Sequence, residues 1–167
     1  SATVDPDNLI SETDETNNGP ITGTFEVVEK VVLPVDLQMT SDMVGMSPYP
    51  SGATFSEGNK ARINAAAWNN GQGPITGNVY FKFIVTEPNG NVVWDYTDSN
   101  WDFGPNETKG AWDEYTILDT HPLGTYTWSA TVDPDNLISE TDETNNGPIT
   151  GTFEVVEKVV LPVDLQM

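Results

Sequence analysis

Gly124-Thr-Tyr-Thr-Trp-Ser-Ala-Thr-Val132 decides how the rest of the chain reads. Tyr126, Trp128, Ala130 and Val132 fall on one side of an extended backbone. Thr125, Thr127, Ser129 and Thr131 fall on the other. A period of two, with one apolar and one hydroxyl-bearing face, is a strand buried on one side only. The same alternation recurs upstream. Residues 78–86 place Val79, Phe81, Phe83 and Val85 on one face, and residues 60–68 place Ala61, Ile63, Ala65 and Ala67 on one face. Further short strands are expected at residues 35–39, 92–96, 111–118 and 149–156. Turn signals separate them about every 8–12 residues, with Pro88-Asn-Gly90 and Asn69-Asn-Gly-Gln-Gly-Pro74 among the clearest. Ser47-Pro-Tyr-Pro-Ser-Gly52 reads as a kinked edge strand. No segment has a helical period. The pattern predicts an all-β fold, an antiparallel β-sandwich. Tyr126, just after Leu123-Gly124, is placed like the tyrosine corner of such sandwiches.

The end of this strand and the residues after it occur twice. Residues 1–39 match residues 129–167 at every position, an offset of 128 residues. A repeat of that length is the size of an ordinary domain and marks a tandem array. The reading divides the chain into residues 1–33, the C-terminal part of a preceding identical repeat; residues 34–158, a complete repeat; and residues 159–167, the junction and first strand of the next. Residues 22–30 read as a strand that pairs with strands from elsewhere or is frayed, because a single hairpin does not bury a stable core. The junction Val31-Val-Leu-Pro-Val35 is short and has no Gly or Ser run, so neighbouring units should be close and semi-rigid.

Composition narrows the function. The 167 residues carry 26 acids, 6 bases and no Cys, for a formal charge of −20. Residues 1–39 hold eight acids and one Lys, leaving 18 acids and five bases, −13, for the other 128. Such charge repels nucleic acid and anionic membranes and attracts cations. No stretch approaches the roughly 20 apolar residues of a membrane span, so no insertion is expected in this segment. The absence of Cys removes a disulfide framework, thiolate zinc and a thiol nucleophile.

Gly124-Thr-Tyr126 followed by Val132-Asp-Pro-Asp-Asn-Leu-Ile-Ser-Glu-Thr-Asp-Glu-Thr-Asn-Asn146, with Val35-Asp-Leu at the start and Trp68-Asn-Asn-Gly71 at a strand end, resembles CARDB, the cell-adhesion-related domain of bacterial and archaeal surface proteins. The resemblance covers about residues 34–158 and the fragment 1–30. It implies an immunoglobulin-like sandwich in extracellular, cell-surface tandem arrays. The aromatic-rich stretch 94–112 does not match the family's pattern.

Candidate sites emerge from residue chemistry. Asp133, Asp135, Glu140, Asp142 and Glu143 lie within eleven residues, among Asn136, Asn145 and Asn146. Hard oxygen ligands on a turn suit Ca2+, although the spacing is not that of an EF-hand. The competing reading is a solvated loop whose Asp and Asn side chains bond their own backbone, with Leu137 and Ile138 tucked into the core. The copy at Asp5 to Asn18 would bind likewise only where its own fold is completed. Trp94, Trp101 and Trp112 are candidates for glycan stacking, against a reading as inter-sheet packing; Trp128 is expected in the core. Asn106-Glu-Thr108 is an acceptor sequon on a predicted surface turn, a candidate glycosylation site at Asn106. His121 reads as a plain loop residue. No carboxylate pair has the setting of a glycosidase dyad, and the expectation is no enzyme.

The leading expectation is a structural repeat of a long extracellular fibre, stalk or giant adhesin, a mechanical spacer whose partners are neighbouring copies. One alternative is a carbohydrate-binding or spacer module of a secreted protein. Another, within the first class, is a discrete subunit of a filament assembled by strand complementation.

Overall fold

The structure, a computed structural model, describes residues 1–49 and 54–160. The chain forms two compact units, Ser1–Val31 and Val32–Met167. The expected start of a further repeat therefore falls mostly outside the described residues, as does the end of the predicted kink at residues 50–52.

The larger unit is all-β among its described residues, apart from one 3-10 turn at Ser41–Met43. Its strands are β1 (Leu37–Gln38), β2 (Val44–Tyr49), β3 (Phe55–Ser56), β4 (Lys60–Asn69), β5 (Ile75–Thr86), β6 (Val92–Phe103), β7 (Thr108–Thr116), β8 (Gly124–Val132) and β9 (Ile149–Val156). In one sheet β1 and β2 pair with β4, and β7 pairs with it as well; the other runs β3-β9-β8-β5-β6. All pairings are antiparallel except β3 with β9. This is the β-sandwich that the alternation predicts, immunoglobulin-like as the resemblance implies.

The core is built from the inward halves of those alternations. Ala61, Ile63, Ala65 and Ala67 of β4, and Val79, Phe81, Phe83 and Val85 of β5, are buried with Tyr126, Ala130 and Val132 of β8 and Phe153 and Val155 of β9. Small residues on one sheet offset large ones on the other, which is how two inner faces reach interior packing density. The exception is Trp128. It is half-buried against the core, because β9 presents Gly151 opposite it: a Cβ there would lie 2.5 Å from the indole.

The tyrosine corner is present. Tyr126 is fully buried and its hydroxyl donates to Pro122 O at 2.8 Å. Tyr126→Phe should cost about 1 kcal/mol, the net worth of one such bond. Urea unfolding would show it as a lower midpoint with an unchanged slope.

Two local expectations fail. His121 is not a plain loop residue. Its Nδ1 accepts from Leu118 N at 2.9 Å and its ring stacks on Tyr115 at 5.5 Å, pinning the turn before β8. β6 also runs much further than residues 92–96, continuing through Trp101 to Phe103, because β5 offers partners along its whole length.

In the smaller unit, residues 22–30 do not form a strand. The only strand-like pairing described there is the bridge between Ala2 and Ile21. The sequence of this unit is that of residues 129–159, yet Phe25 is 88% exposed where its counterpart Phe153 is 7% exposed. Identical residues are core in one setting and bare in the other; the difference lies in the strands that cover them.

Candidate metal centre

The acidic loop leaves β8 at Val132 and returns beside it, with Val132 N donating to Asn146 O at 3.0 Å. Asp133 makes the turn. It is buried and in the left-handed region at φ 44°, and its N–H reaches Tyr80 O at 2.8 Å. Its carboxylate accepts from Leu137 N at 3.0 Å and Ile138 N at 2.9 Å. Asp tolerates this backbone because its short side chain bonds the chain just ahead. Asp5 in the first copy has the same conformation, φ 41°, and caps Leu9 N and Ile10 N at 2.9 and 2.8 Å. The shape of the loop is thus written in its own residues.

The loop is also a strap. Thr141 N donates to Val35 O at 3.0 Å, and Met39 N donates to Asn145 O at 3.0 Å. Asp36 is buried, its carboxylate accepting from Asn145 Nδ2 at 3.0 Å and Asn70 Nδ2 at 3.2 Å. Glu140 accepts from Leu37 N through Oε2 and from Asn146 Nδ2 at 3.0 Å through Oε1. The residues leading into β1 are therefore held by the acidic loop. They are held from the other side by residues 69–73, where Gly73 N donates to Pro34 O at 2.7 Å. Any Cβ on Gly73 would lie 2.3 Å from Leu33 O.

Three of the five predicted acids come together. Asp133, Glu140 and Glu143 each offer an oxygen, all within 4.8 Å of one another. Two oxygens bound to one Ca2+ at about 2.5 Å can stand ~5 Å apart, so the spacing fits. Asp135 and Asp142 are not among them. Asp135 is exposed, and Asp142 turns to Thr144, whose N–H and hydroxyl donate to it at 2.9 and 2.6 Å. Those bonds hold its carboxyl below the usual range. Asp133 and Asp142 cap backbone, as the self-bonded reading of the loop expects, and Asp133 also stands in the cluster. Ile138 packs against the core, but Leu137 is exposed and does not.

The electrostatics disfavour a full set of charged carboxylates here. Burial pushes Glu140 up to about 7; Glu143 and Asp133 add to the rise, and the Leu37 and Asn146 bonds oppose it. Asn146 is 5% exposed and its Oδ1 has no partner, although its Nδ2 is bonded to Glu140. A buried acceptor left unpaired is costly. A cation beside Glu140 would supply a partner for Asn146 Oδ1. Alternation and spacing are silent on the Asp36–Asn70–Asn145 network, because its members lie far apart in the chain.

The other candidates separate. Trp94 is half-buried, stacked with Phe83 and Tyr96 and tilted against Tyr115, whereas Trp101 and Trp112 are exposed on strands of different sheets. The row Trp94–Trp101–Trp112 is therefore not one surface: Trp94 packs inward between the sheets. Asn106 is exposed in a turn at φ 61°.

The CARDB family model matches residues 49–149. The chain belongs to the CARDB family. CARDB domains are surface- and adhesion-related, and no helix among the described residues is long and apolar enough to cross a membrane. Among solved structures, this CARDB chain is similar to the CARDB domain of a Pyrococcus furiosus protein, crystallised in complex with di-metal ions. The identity is 22%, over 77% of this chain and 97% of that one, with a TM-score of 0.50. A putative β-galactosidase from Bacteroides fragilis is 13% identical over 70% of this chain and 17% of that one, also at 0.50, a likeness of fold alone. No curated protein matches the chain.

Proposed function

We propose that this CARDB unit is a repeat of a long extracellular surface protein, a non-enzymatic spacer whose acidic loop takes a divalent cation, Ca2+ by preference. The observation that carries the cation is the cluster of Asp133, Glu140 and Glu143 beside the unpartnered Asn146 Oδ1. Asp133, Glu140, Glu143 and Asn146 would hold it. Bound there, it would neutralise crowded carboxylates on the loop that holds the chain entering β1, and so stiffen the path from one unit to the next. The di-metal ions of the Pyrococcus furiosus domain support a cation-binding reading for a CARDB domain. The identity of residues 1–39 with 129–167, and the exposure of core-type residues in Ser1–Val31, support an array of like units. β5 and β6 run twelve residues each, so one unit spans ~40 Å at about 3.4 Å per residue.

Ca2+ at a hundredfold excess over its Kd should stabilise the fold by about 2.7 kcal/mol. The thermal midpoint should be several degrees higher in Ca2+ than in chelator. Glu143→Gln should abolish that difference, and Asp135→Asn should keep it. An unchanged midpoint at saturating Ca2+ would remove the cation from the account.

A second reading keeps the spacer but changes the assembly. The bare apolar residues of Ser1–Val31 also fit completion by strands of another molecule. The denatured mass of the native protein separates the two. A ladder spaced by one 128-residue unit means a covalent array, and a single species at 18.2 kDa means a filament of separate subunits.

A further inference from the structure

Asn106-Glu-Thr108 is the one Asn-x-Ser/Thr acceptor sequence in the chain, and it lies outside the stretches that occur twice. The backbone around it is a tight turn. Glu107 N donates to Gly104 O at 3.2 Å, with Pro105 and Asn106 between them. Asn106 has φ 61°. Proline second and a positive φ third is the pattern of a type II turn, whose third residue is Gly or Asn. Gly would serve this backbone as well. The turn therefore explains the conformation of residue 106, but not its carboxamide.

That carboxamide is unused. Asn106 is exposed and is fixed through its backbone, its N–H donating to Asn69 O at 2.8 Å. Thr108, the first residue of β7, is exposed as well. Among the described residues, neither the Asn106 carboxamide nor the Thr108 hydroxyl has a hydrogen-bond partner. Glu107 between them is engaged locally: its carboxylate accepts from Gly104 N at 2.7 Å and pairs with Lys109 Nζ at 3.3 Å. The amides that hold the domain together differ. Asn69, Asn70, Asn145 and Asn146 each donate through Nδ2 to another part of the fold. A sugar on any of those nitrogens would displace a bond. A sugar on Asn106 Nδ2 displaces none.

The position suits a bulky polar group. The turn joins β6 to β7, and among the described strands β6 pairs with β5 alone and β7 with β4 alone. Open strand edges invite pairing with other chains and are commonly covered. Side chains already cap this corner: Lys109 Nζ donates to Trp101 O and Asp102 O, and Asn100 Nδ2 donates to Gly110 O at 2.8 Å. We propose that Asn106 is the acceptor of an N-linked oligosaccharide, which extends that cover. The donor is an oligosaccharide linked through phosphate to a lipid, and the catalyst is an oligosaccharyltransferase. Asn106 Nδ2 attacks the anomeric carbon of the first sugar. The N–C bond forms as the bond from that carbon to the phosphate oxygen breaks. The lipid phosphate leaves with the electron pair, one Nδ2 proton passes to a base of the transferase, and nothing is oxidised or reduced. The Thr108 hydroxyl is the group by which the transferase reads the sequence. The assignment needs neither the cation nor the array.

The test is peptide mass spectrometry on the native protein. The tryptic peptide Phe83–Lys109 holds the acceptor. It should carry the mass of an oligosaccharide, and fragmentation that keeps the sugar attached should place it on Asn106. Thr108→Ala made in the same host should be free of it, and Thr108→Ser should keep it. Residue 108 is exposed and its hydroxyl unbonded, so both variants should keep a cooperative unfolding transition. Glu143→Gln should carry the glycan unchanged, which separates this site from the cation reading. A native peptide with bare Asn106 overturns the proposal. So does a sugar located on a Ser or Thr hydroxyl, or a glycan that survives Thr108→Ala.

Discussion

Asn69→Ala should cost about 3–5 kcal/mol. Asn69 is fully buried at the end of β4. Its Nδ2 donates to Gly73 O at 2.8 Å and lies 3.2 Å from Gly104 O. Its Oδ1 accepts from Gly71 N at 3.1 Å and Asp36 N at 3.4 Å. One amide therefore ties together the loop after β4, the turn after β6 and the residues that lead into β1. Removing it orphans two or three backbone groups at about 1–3 kcal/mol each. Asn69→Asp should cost as much, because it keeps the acceptor, loses the donor and buries a charge. Urea unfolding checks both; a loss under about 1 kcal/mol would mean the end of the sandwich is held by packing instead.

Between pH 5 and pH 8 the cation-free domain should lose stability as pH rises. Glu140 is the cause. Its folded carboxyl sits at about 7, above the 4.5 of the free side chain. The stability that protonation contributes is full below the unfolded value and is lost as pH climbs through the folded one. The carboxyls held low by hydrogen bonds, such as Asp142 and Glu114, act in the opposite sense and at lower pH, so the window isolates Glu140. Glu140→Gln should remove the slope. Gln still accepts from Leu37 N, and its new donor can meet Asn146 Oδ1 once that amide turns. Saturating Ca2+ should also flatten the native slope, because the cation replaces the proton. Melting midpoints across the pH series, with chelator and with Ca2+, test the three expectations together.

How much of this was visible in the chain depends on how local each feature is. β4, β5 and β8 were legible because each alternates over eight or more residues, and the buried set of β5 is the one its period picks out. The tyrosine corner was legible because Tyr126 follows Leu123-Gly124 at a fixed offset. The centre was half legible. All five acids lie in one loop, but only the loop's path, set by Asp133 capping Leu137 and Ile138, decides that Glu140 and Glu143 face it while Asp135 and Asp142 do not. Asp36 reaches the loop from a distant position, through Asn145, and no spacing announces that. The unpaired stretch at residues 22–30 is the plainest case of tertiary control, since the same sequence forms β9 where β8 and β3 flank it.

The most direct measurement is amide hydrogen exchange at Leu37, the N–H that donates to Glu140. A cation at Asp133, Glu140 and Glu143 would fix the loop, and the loop in turn would fix the chain entering β1. Exchange at Leu37, and at Met39 through Asn145, should then slow at saturating Ca2+ relative to chelator. Glu143→Gln should erase the difference. Equal exchange at Leu37 with Ca2+ and with chelator would contradict the cation's role, and would leave the acidic loop as a self-capped turn with no cation to hold.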